Sequence, residues 1–328
     1  MTIVDPISNN ANVRDRVRLK VYTKEQEGFE AAVRAGLRQA PKAIPCRFLY
    51  DQAGSELFDE ICELPEYYPT RTETAILEAN AGAIADLVGP DVSLVELGSG
   101  SSRKTRILLD ALPQIACYVP VDVSREHLRN AAVQLAEHYP RLRVEAICAD
   151  YNDPFPLPQC GRRNVGFFPG STIGNLERGA ALSLLQTWRD RLGPRGVMVI
   201  GIDLKKDAKR LEAAYDDAEG VTEAFIRNIM VRANRELDAD FVSGAFDYEA
   251  RYDAEAGRVE MHLRSAIDQT VTVSGERFRF AAGERVHIEN SHKYSIEEAK
   301  ALGGAAGFRP IRCFTDSERL FSVHVWAA

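Results

Sequence analysis

Between residues 93 and 203 the chain alternates short apolar runs with longer stretches of helical spacing. The apolar runs Ser93–Leu97, Cys117–Val123, Arg143–Cys148, Asn164–Phe168 and Gly196–Asp203 predict strands, and the stretches 102–111, 125–138 and 177–192 predict the helices between them. This is the β–α–β rhythm of a parallel, doubly wound sheet. Runs as continuously apolar as VMVIGI imply strands covered on both faces.

The rhythm is absent on either side. Residues 24–39 have helical periodicity that breaks at Ala40–Pro45, residues 46–69 predict a short helix between two aromatic segments, and a helix over Thr70–Leu87 follows with Thr70 or Thr72 as its N-cap. After Leu204 a helical region, 205–236, is divided at Gly220 and Val221. The segments Phe246–Tyr252, Arg258–Ile267, Gln269–Val273 and Phe278–Phe280 then alternate as antiparallel strands do. A helix at 295–306 and strands at Arg309–Phe314 and Leu320–Trp326 predict a sheet that ends in an antiparallel hairpin. The pattern is that of an α/β domain, residues 72–205 and 294–328, interrupted by an insertion. Residues 21–71 and 206–293 are expected to form a smaller α+β domain, and residues 1–20, which are mostly polar, to be disordered.

Composition narrows the partners. With 45% hydrophobic and 27% charged residues among 328, the chain has a globular composition, and its net charge of −7 argues against nucleic acid or an anionic membrane as a partner. The N-terminus lacks the basic segment and apolar core of a secretory signal, and no apolar run spans a bilayer, so a cytoplasmic protein is expected. The six cysteines lack C-x-x-C spacing and the six histidines lack ligand spacing, so free thiols and no metal are expected. A monomer is the expected state.

The richest chemistry lies at LVELGSGSSRKT, residues 94–105, where a strand through Glu96 enters a turn carrying Gly98 and Gly100. Such a turn brings backbone close to a nucleotide and points the next helix's N-terminus at it. A dinucleotide site wants a third glycine, and Arg103 stands there. An S-adenosylmethionine site has no pyrophosphate to cradle. It wants a carboxylate after the second strand for the ribose and another after the third for the adenine, and Asp122 and Asp150 stand at those places. Singly, each acid serves equally well as a helix cap or turn acid. The ordered set of Glu96, Gly98, Gly100, Asp122 and Asp150, all at strand carboxyl ends, points to S-adenosylmethionine, with S-adenosylhomocysteine as product. Arg103 and Tyr151 are assigned to the same cofactor-facing set.

After the fourth strand the chain reads FFPGSTIGNL, without the Pro-Pro-aromatic motif of nucleic-acid and protein-amide methyltransferases, which favours a small acceptor. In order, FLYDQAGSELFDEI, LPEYYPTRTE, VELGSGSSRKT, YVPVDVS, FFPGSTIGNL, GVTEAFIRNI and IENSHKY resemble the ergothioneine-pathway L-histidine Nα-methyltransferase family, from about residue 40 to the C-terminus. The resemblance implies a Rossmann-like, S-adenosylmethionine-dependent methyltransferase domain with a terminal antiparallel hairpin, plus a smaller substrate-binding domain. It further implies trimethylation of the α-amine of histidine to hercynine. By motif, Tyr67, Asn175 and Tyr215 would hold the substrate carboxylate and amine, and Tyr50 would sit near the amine. Glu289 and Ser291 would hydrogen-bond the imidazole, with Met261 lining the pocket. Tyr50, Asn175 and Tyr215 are the expected catalytic residues.

These residue types suit an in-line methyl transfer, in which catalysis is mainly the positioning of a neutral amine. Phenol and amide groups orient nitrogen without adding positive charge, and aromatic faces tolerate a quaternary product. In an extended segment the two-residue spacing of Glu289 and Ser291 places both on one face. Alternative readings are core packing for Tyr50, Tyr67, Tyr68 and Met261, a helix cap for Asn175 and a surface strand position for Glu289. His292 is read as structural rather than as a base. Two other functions stay open: methylation of another amine such as an indole amino acid, and cofactor binding without catalysis.

Overall fold

The computed structural model describes residues 13, 15–22, 28–99, 103–112 and 114–328. In chain order the strands are β1 (Val17–Val21), β2 (Lys42–Ala43), β3 (Val92–Leu97), β4 (Cys117–Asp122), β5 (Val144–Cys148), β6 (Arg163–Phe168) and β7 (Val197–Asp203). They continue as β8 (Phe246–Asp253), β9 (Arg258–Ser265), β10 (Gln269–Val273), β11 (Glu276–Phe280), β12 (Arg285–His292), β13 (Arg309–Thr315) and β14 (Phe321–Ala327). The chain divides into two compact units, one of Met1–Lys24, Arg71–Leu204 and Tyr294–Ala328, the other of Glu25–Thr70 and Lys205–Lys293.

The first unit is a single eight-stranded sheet in the order β1-β5-β4-β3-β6-β7-β14-β13. The first six strands in that order run parallel, and β14 and β13 close the sheet antiparallel. This is a Rossmann-like, doubly wound arrangement with the terminal antiparallel hairpin that the sequence predicts. Side chains alternate along each strand, so Leu94, Tyr118, Phe167 and Val199 enter one core while Val95, Val119, Phe168 and Ile200 enter the other. Helices cover both faces, which is why β3 and β7 are buried at every residue. From β3 the chain moves outward to β4 and β5, then returns to β6 on the other side of β3. The carboxyl ends of β3 and β6 therefore flank a topological switch point, where ligands of open α/β sheets collect.

Two local expectations are corrected here. Residues 17–20, expected to belong to a disordered leader, form most of β1, the parallel edge strand on β5; the rest of that leader, except residues 13, 15 and 16, lies outside the described residues. Alternation explains the strand: Val17 and Leu19 are buried, while Arg18 and Lys20 approach the buried Glu145 of β5 at 3.8 Å each. Arg143 Nε also donates to Glu145 at 2.8 Å, so a carboxylate within the sheet is compensated by three cations. The helix expected from Thr70 begins two residues earlier, spanning Tyr68–Val88. Pro69 stands in its first turn, where a missing N–H costs nothing and the proline φ suits the helix, so neither Thr70 nor Thr72 is its cap.

In the second unit β2, β12, β9 and β8 form a four-stranded sheet, and β10 and β11 form a hairpin. Of the helix expected over residues 24–39, Phe29–Arg38 is helical, and residues 24–27 lie outside the described residues. The aromatic region folds as a 3-10 turn, Cys46–Leu49, followed by a helix over Gln52–Glu63 whose cap, Asp51, accepts from the Gly54 N–H at 2.8 Å. Gly54 itself is needed: a Cβ there would lie 1.8 Å from the Leu49 carbonyl oxygen. Downstream, helices span Ala208–Ala213 and Val221–Glu236, and the Asp217 carboxylate accepts from the N–H groups of Val221 and Thr222 at 2.9 and 2.8 Å. Among the described residues no helix is long and apolar enough to cross a membrane.

Candidate active site

At the end of β3 the first unit makes the glycine turn. Gly98 has φ +74°, a conformation that L side chains rarely adopt, and its N–H donates to the Val121 carbonyl of β4 at 2.9 Å. Ser99 is buried, and its hydroxyl has no hydrogen-bond partner among the described residues. A buried orphan polar atom in such a turn fits a polar ligand. Gly100 lies outside the described residues. The next helix spans Arg103–Ala111, and Arg103 is exposed at its start.

Glu96 faces inward. Both its oxygens accept from the Thr105 hydroxyl, at 2.9 and 2.7 Å, and one also accepts from the Tyr118 hydroxyl. Its carboxylate thus pins the helix after the turn to β3 and β4. Burial pushes its carboxyl up to about 8, against the opposing hydrogen bonds from Tyr118 and Thr105. A carboxyl raised in the folded state favours folding below its unfolded value of about 4.5, and that contribution disappears as pH rises through about 8. Glu96→Gln is therefore expected to flatten the decline of stability with pH, whose slope from one such group approaches about 1.4 kcal/mol per unit. Urea unfolding from pH 5 to 9 checks this, and parallel curves for the two proteins would refute it.

A second buried carboxylate, Glu73, lies on the long helix. It accepts from Lys104 Nζ at 2.5 Å and from the Gly170 N–H at 2.8 Å, and so ties the helix after the glycine turn to the loop after β6. Gly201 on β7 makes room, because a Cβ there would meet the Glu73 carboxylate at 1.9 Å. Sequence reasoning missed Glu73 and Lys104. The only signal was a Glu within LPEYYPTRTE and a Lys beside the expected Arg103.

Asp122 ends β4, and its Oδ1 accepts from the Ser124 N–H at 2.9 Å. Asp150 follows β5, and its Oδ1 accepts from the Asn152 backbone and side chain at 2.8 and 2.7 Å. Both half-buried carboxylates are held at strand carboxyl ends by their own turns. Tyr151 packs its ring 5.7 Å from Phe168, and its carbonyl accepts from Trp188 Nε1. Asn175 ends the 3-10 turn Thr172–Asn175, while Glu177 occupies the N-cap of the helix over Arg178–Leu192. The helix-cap alternative for Asn175 thereby falls.

The second unit gathers the remaining candidates. Rings run Phe225, Tyr50, Phe58, Tyr67, Tyr215, with successive centroids 5.3, 5.6, 6.4 and 6.0 Å apart, mostly edge to face. Tyr215 and Ser291 meet through their hydroxyls at 2.8 Å. Lys293, fully buried and absent from the expected set, donates to Tyr215 at 2.6 Å and to Ser291 at 2.8 Å. A lysine is rarely buried, and nothing in its local pattern distinguished it.

Glu289 is 7% exposed on β12, in register with Met261 of β9, which is also buried. The surface reading of Glu289 therefore fails. A register shift between His287 and Glu289 marks a bulge in β12, after which Glu289, Asn290, Ser291 and His292 are all buried. Burial pushes the Glu289 carboxyl up to about 7, opposed by a hydrogen bond from the Cys46 thiol and by the charge of Lys293. Cys46 is a second residue that sequence reasoning did not single out.

The family model for histidine-specific, S-adenosylmethionine-dependent methyltransferases matches residues 29–328. The chain is 44% identical over 296 residues to a histidine N-alpha-methyltransferase of Mycolicibacterium smegmatis, covering 88% of this chain and 92% of that protein. It is 41% identical over 321 residues to a histidine N-alpha-methyltransferase of Mycobacterium tuberculosis, covering 95% and 99%. It is also 31% identical to ergothioneine biosynthesis protein 1 of Neurospora crassa, covering 94% of this chain and 36% of that longer protein.

Proposed function

We propose, from the premise that the chain belongs to the histidine-specific, S-adenosylmethionine-dependent methyltransferase family, that it methylates the α-amine of L-histidine three times to give hercynine, the entry step of ergothioneine biosynthesis. The methyl donor is S-adenosylmethionine, which supplies an electrophilic methyl carbon on a sulfonium. Asp122 would hold the ribose hydroxyls and Asp150 the adenine amino group, while Gly98 and Gly100, with Arg103 and Tyr151, would line the donor. The orphan Ser99 hydroxyl supports this fit. Glu96, whose oxygens already face Thr105 and Tyr118, would serve that site by holding the helix in place.

Each transfer forms one N–C bond, breaks one S–C bond and releases one proton from the substrate nitrogen, leaving neutral S-adenosylhomocysteine. The residues' task is to present an unprotonated amine in line with the methyl carbon. Tyr50, Tyr67 and Tyr215 offer hydroxyls and ring faces, and Asn175 an amide, none of which adds a charge beside an amine that must lose its proton. Ring faces also suit the permanently cationic product. Glu289 and Ser291 would take the imidazole, with Met261 filling apolar space beside Glu289.

One observation carries this reading: a buried carboxylate and a buried hydroxyl two residues apart on β12, the latter bonded to Tyr215. An imidazole N–H pairs such a carboxylate, whereas an apolar side chain would leave it unpaired at a cost of about 1–3 kcal/mol. The test is incubation of the protein and S-adenosylmethionine with a panel of amino acids, followed by mass spectrometry. Histidine alone should gain three methyl groups. Methylation of tryptophan or another amine instead, or of nothing despite cofactor binding, would overturn the proposal. Six free cysteines support a reducing compartment, and we place the reaction in the cytoplasm.

A further inference from the structure

Glu73 is 1% exposed, and its two carboxylate oxygens are fixed in different ways. Oε2 takes the Lys104 ammonium and the Gly170 N–H, while Oε1 has no hydrogen-bond partner among the described residues and lies against Gly201, where a Cβ would come within 1.9 Å of it. The carboxylate therefore has little room to swing. Lys104 belongs to the first turn of the helix Arg103–Ala111, and its successor Thr105 is bonded to Glu96. Two buried carboxylates thus fix the start of this helix at consecutive residues. Gly170 opens the other element, with φ +79°, and Ser171 follows at φ +56°. The Ser171 hydroxyl accepts from the Asp203 N–H at 2.9 Å, and the Gly174 N–H returns to the Ser171 carbonyl at 2.8 Å. A turn bound at so many points passes the position of Gly170 on to Asn175 at its end.

One carboxylate on the long helix thus spaces two other elements of the first unit: the helix behind the glycine turn, and the turn that ends at Asn175. We infer that Glu73 is a positioning residue for methyl transfer, setting the distance between methyl donor and acceptor amine through Lys104 and Gly170. This rests on the histidine reading above, with the donor at the glycine turn and the amine at Asn175, and adds to it a residue whose part is alignment. In-line displacement depends steeply on how nitrogen, methyl carbon and sulfur are placed, and a misplacement of about 1 Å costs up to about 100-fold in rate. Affinity depends on that placement far less, because each ligand keeps the contacts made by its own element. Burial makes the spacer stiff. Parting the ammonium from Glu73 would leave a buried carboxylate without its cation, so the pair holds one geometry.

The experiment separates rate from affinity. Single-turnover methylation of histidine at saturating ligand, followed by rapid quench and mass spectrometry, is compared with calorimetry of S-adenosylhomocysteine and of histidine on the unaltered protein, Glu73→Gln and Gly201→Ala. Glu73→Gln keeps an acceptor oxygen for the Gly170 N–H and loses the charge that holds Lys104. Gly201→Ala keeps the charge and pushes the carboxylate aside. Rates are expressed per binding-competent molecule, counted from the stoichiometry of S-adenosylhomocysteine binding, so a loss of folded protein leaves them unmoved. Each variant should transfer methyl at least about tenfold more slowly, with both dissociation constants within about threefold of those of the unaltered protein. Gly201→Ala decides alone should Glu73→Gln fail to fold, because the atoms that its Cβ would approach all belong to side chains. A smaller loss of rate in either folded variant, or a larger change in either dissociation constant, would overturn the inference alone. Failure of the unaltered protein to methylate histidine would overturn the histidine reading, and the inference with it.

Discussion

Replacing Glu289 with alanine is expected to raise the Michaelis constant for histidine roughly 10- to 100-fold while cofactor affinity stays within about twofold. The carboxylate stands buried on β12 opposite Met261 and receives the Cys46 thiol proton, so its removal takes away a fixed acceptor in a place where water does not readily replace it. An imidazole N–H brought there would be desolvated without a partner. The same carboxyl, pushed up to about 7 by burial, would then tie histidine recognition to pH. As pH falls through about 7 it takes up a proton and loses its pull on the imidazole, so kcat/KM should fall on the acid side more steeply than titration of free histidine accounts for. Glu289→Gln keeps an acceptor oxygen that does not titrate, and should remove the extra steepness. Steady-state kinetics from pH 5.5 to 8.5 measure both effects, and unchanged histidine kinetics in the alanine variant would remove Glu289 from recognition.

Asp122→Ala is expected to act on the other ligand, weakening S-adenosylhomocysteine binding by roughly 100-fold, as the loss of two charge-assisted hydrogen bonds to a ribose diol implies. Because Asp122 Oδ1 accepts from the Ser124 N–H, alanine also loosens the turn that holds the carboxylate at the end of β4. Asp122→Asn retains that turn acceptor and turns an uncharged amide NH2 toward the diol in place of the second carboxylate oxygen, and should fall between alanine and the unaltered protein. Calorimetry with S-adenosylhomocysteine reads the affinity directly. An alanine variant that binds as tightly as the unaltered protein would sink the ribose role. Together the two variants give opposite phenotypes, one in the histidine constant and one in cofactor affinity, a separation that general unfolding cannot imitate.

Much of the fold was legible because the doubly wound sheet writes itself in local hydrophobic pattern. The five apolar runs between residues 93 and 203 coincide with β3 to β7 apart from shifts of a residue at their ends. In the insertion, β9 alternates buried and half-buried positions without a break, so its polar-apolar pattern was equally clear. Where the pattern failed, a physical cause is visible. β1 carries charged residues whose partners, Glu145 above all, are remote in sequence, and so it read as a polar leader. β12 is polar over ENSH and still buried, because its charges and hydroxyls are satisfied by other parts of the unit rather than by water.

The candidate residues divide in the same way. Gly98 was legible since only glycine is at ease at φ +74°, and Asp122 and Asp150 because one ends and the other closely follows a strand that announces itself. Glu96 was equally legible as a residue but not in its orientation. Its place at the end of β3 suggested a ligand contact, and its contacts with Thr105 and Tyr118 give it a supporting part. The pairing of Lys104 with Glu73, and the space that Gly201 leaves for that carboxylate, join residues 31 positions or more apart and left no local trace.

By itself, then, the sequence determined the sheet, the methyl donor and the family, because strands, glycine turns and strand-end acids are short-range features whose meaning does not depend on distant neighbours. Only the tertiary structure decided which polar groups share one environment. It set Tyr215, Ser291 and Lys293 within 2.8 Å of one another and raised Glu289 by burial. The physical reason is that charge, hydrogen-bond direction and acidity belong to the surroundings of a side chain. Those surroundings are assembled from segments remote in sequence: Tyr215 and Lys293 are 78 residues apart, and Cys46 and Glu289 are further apart still.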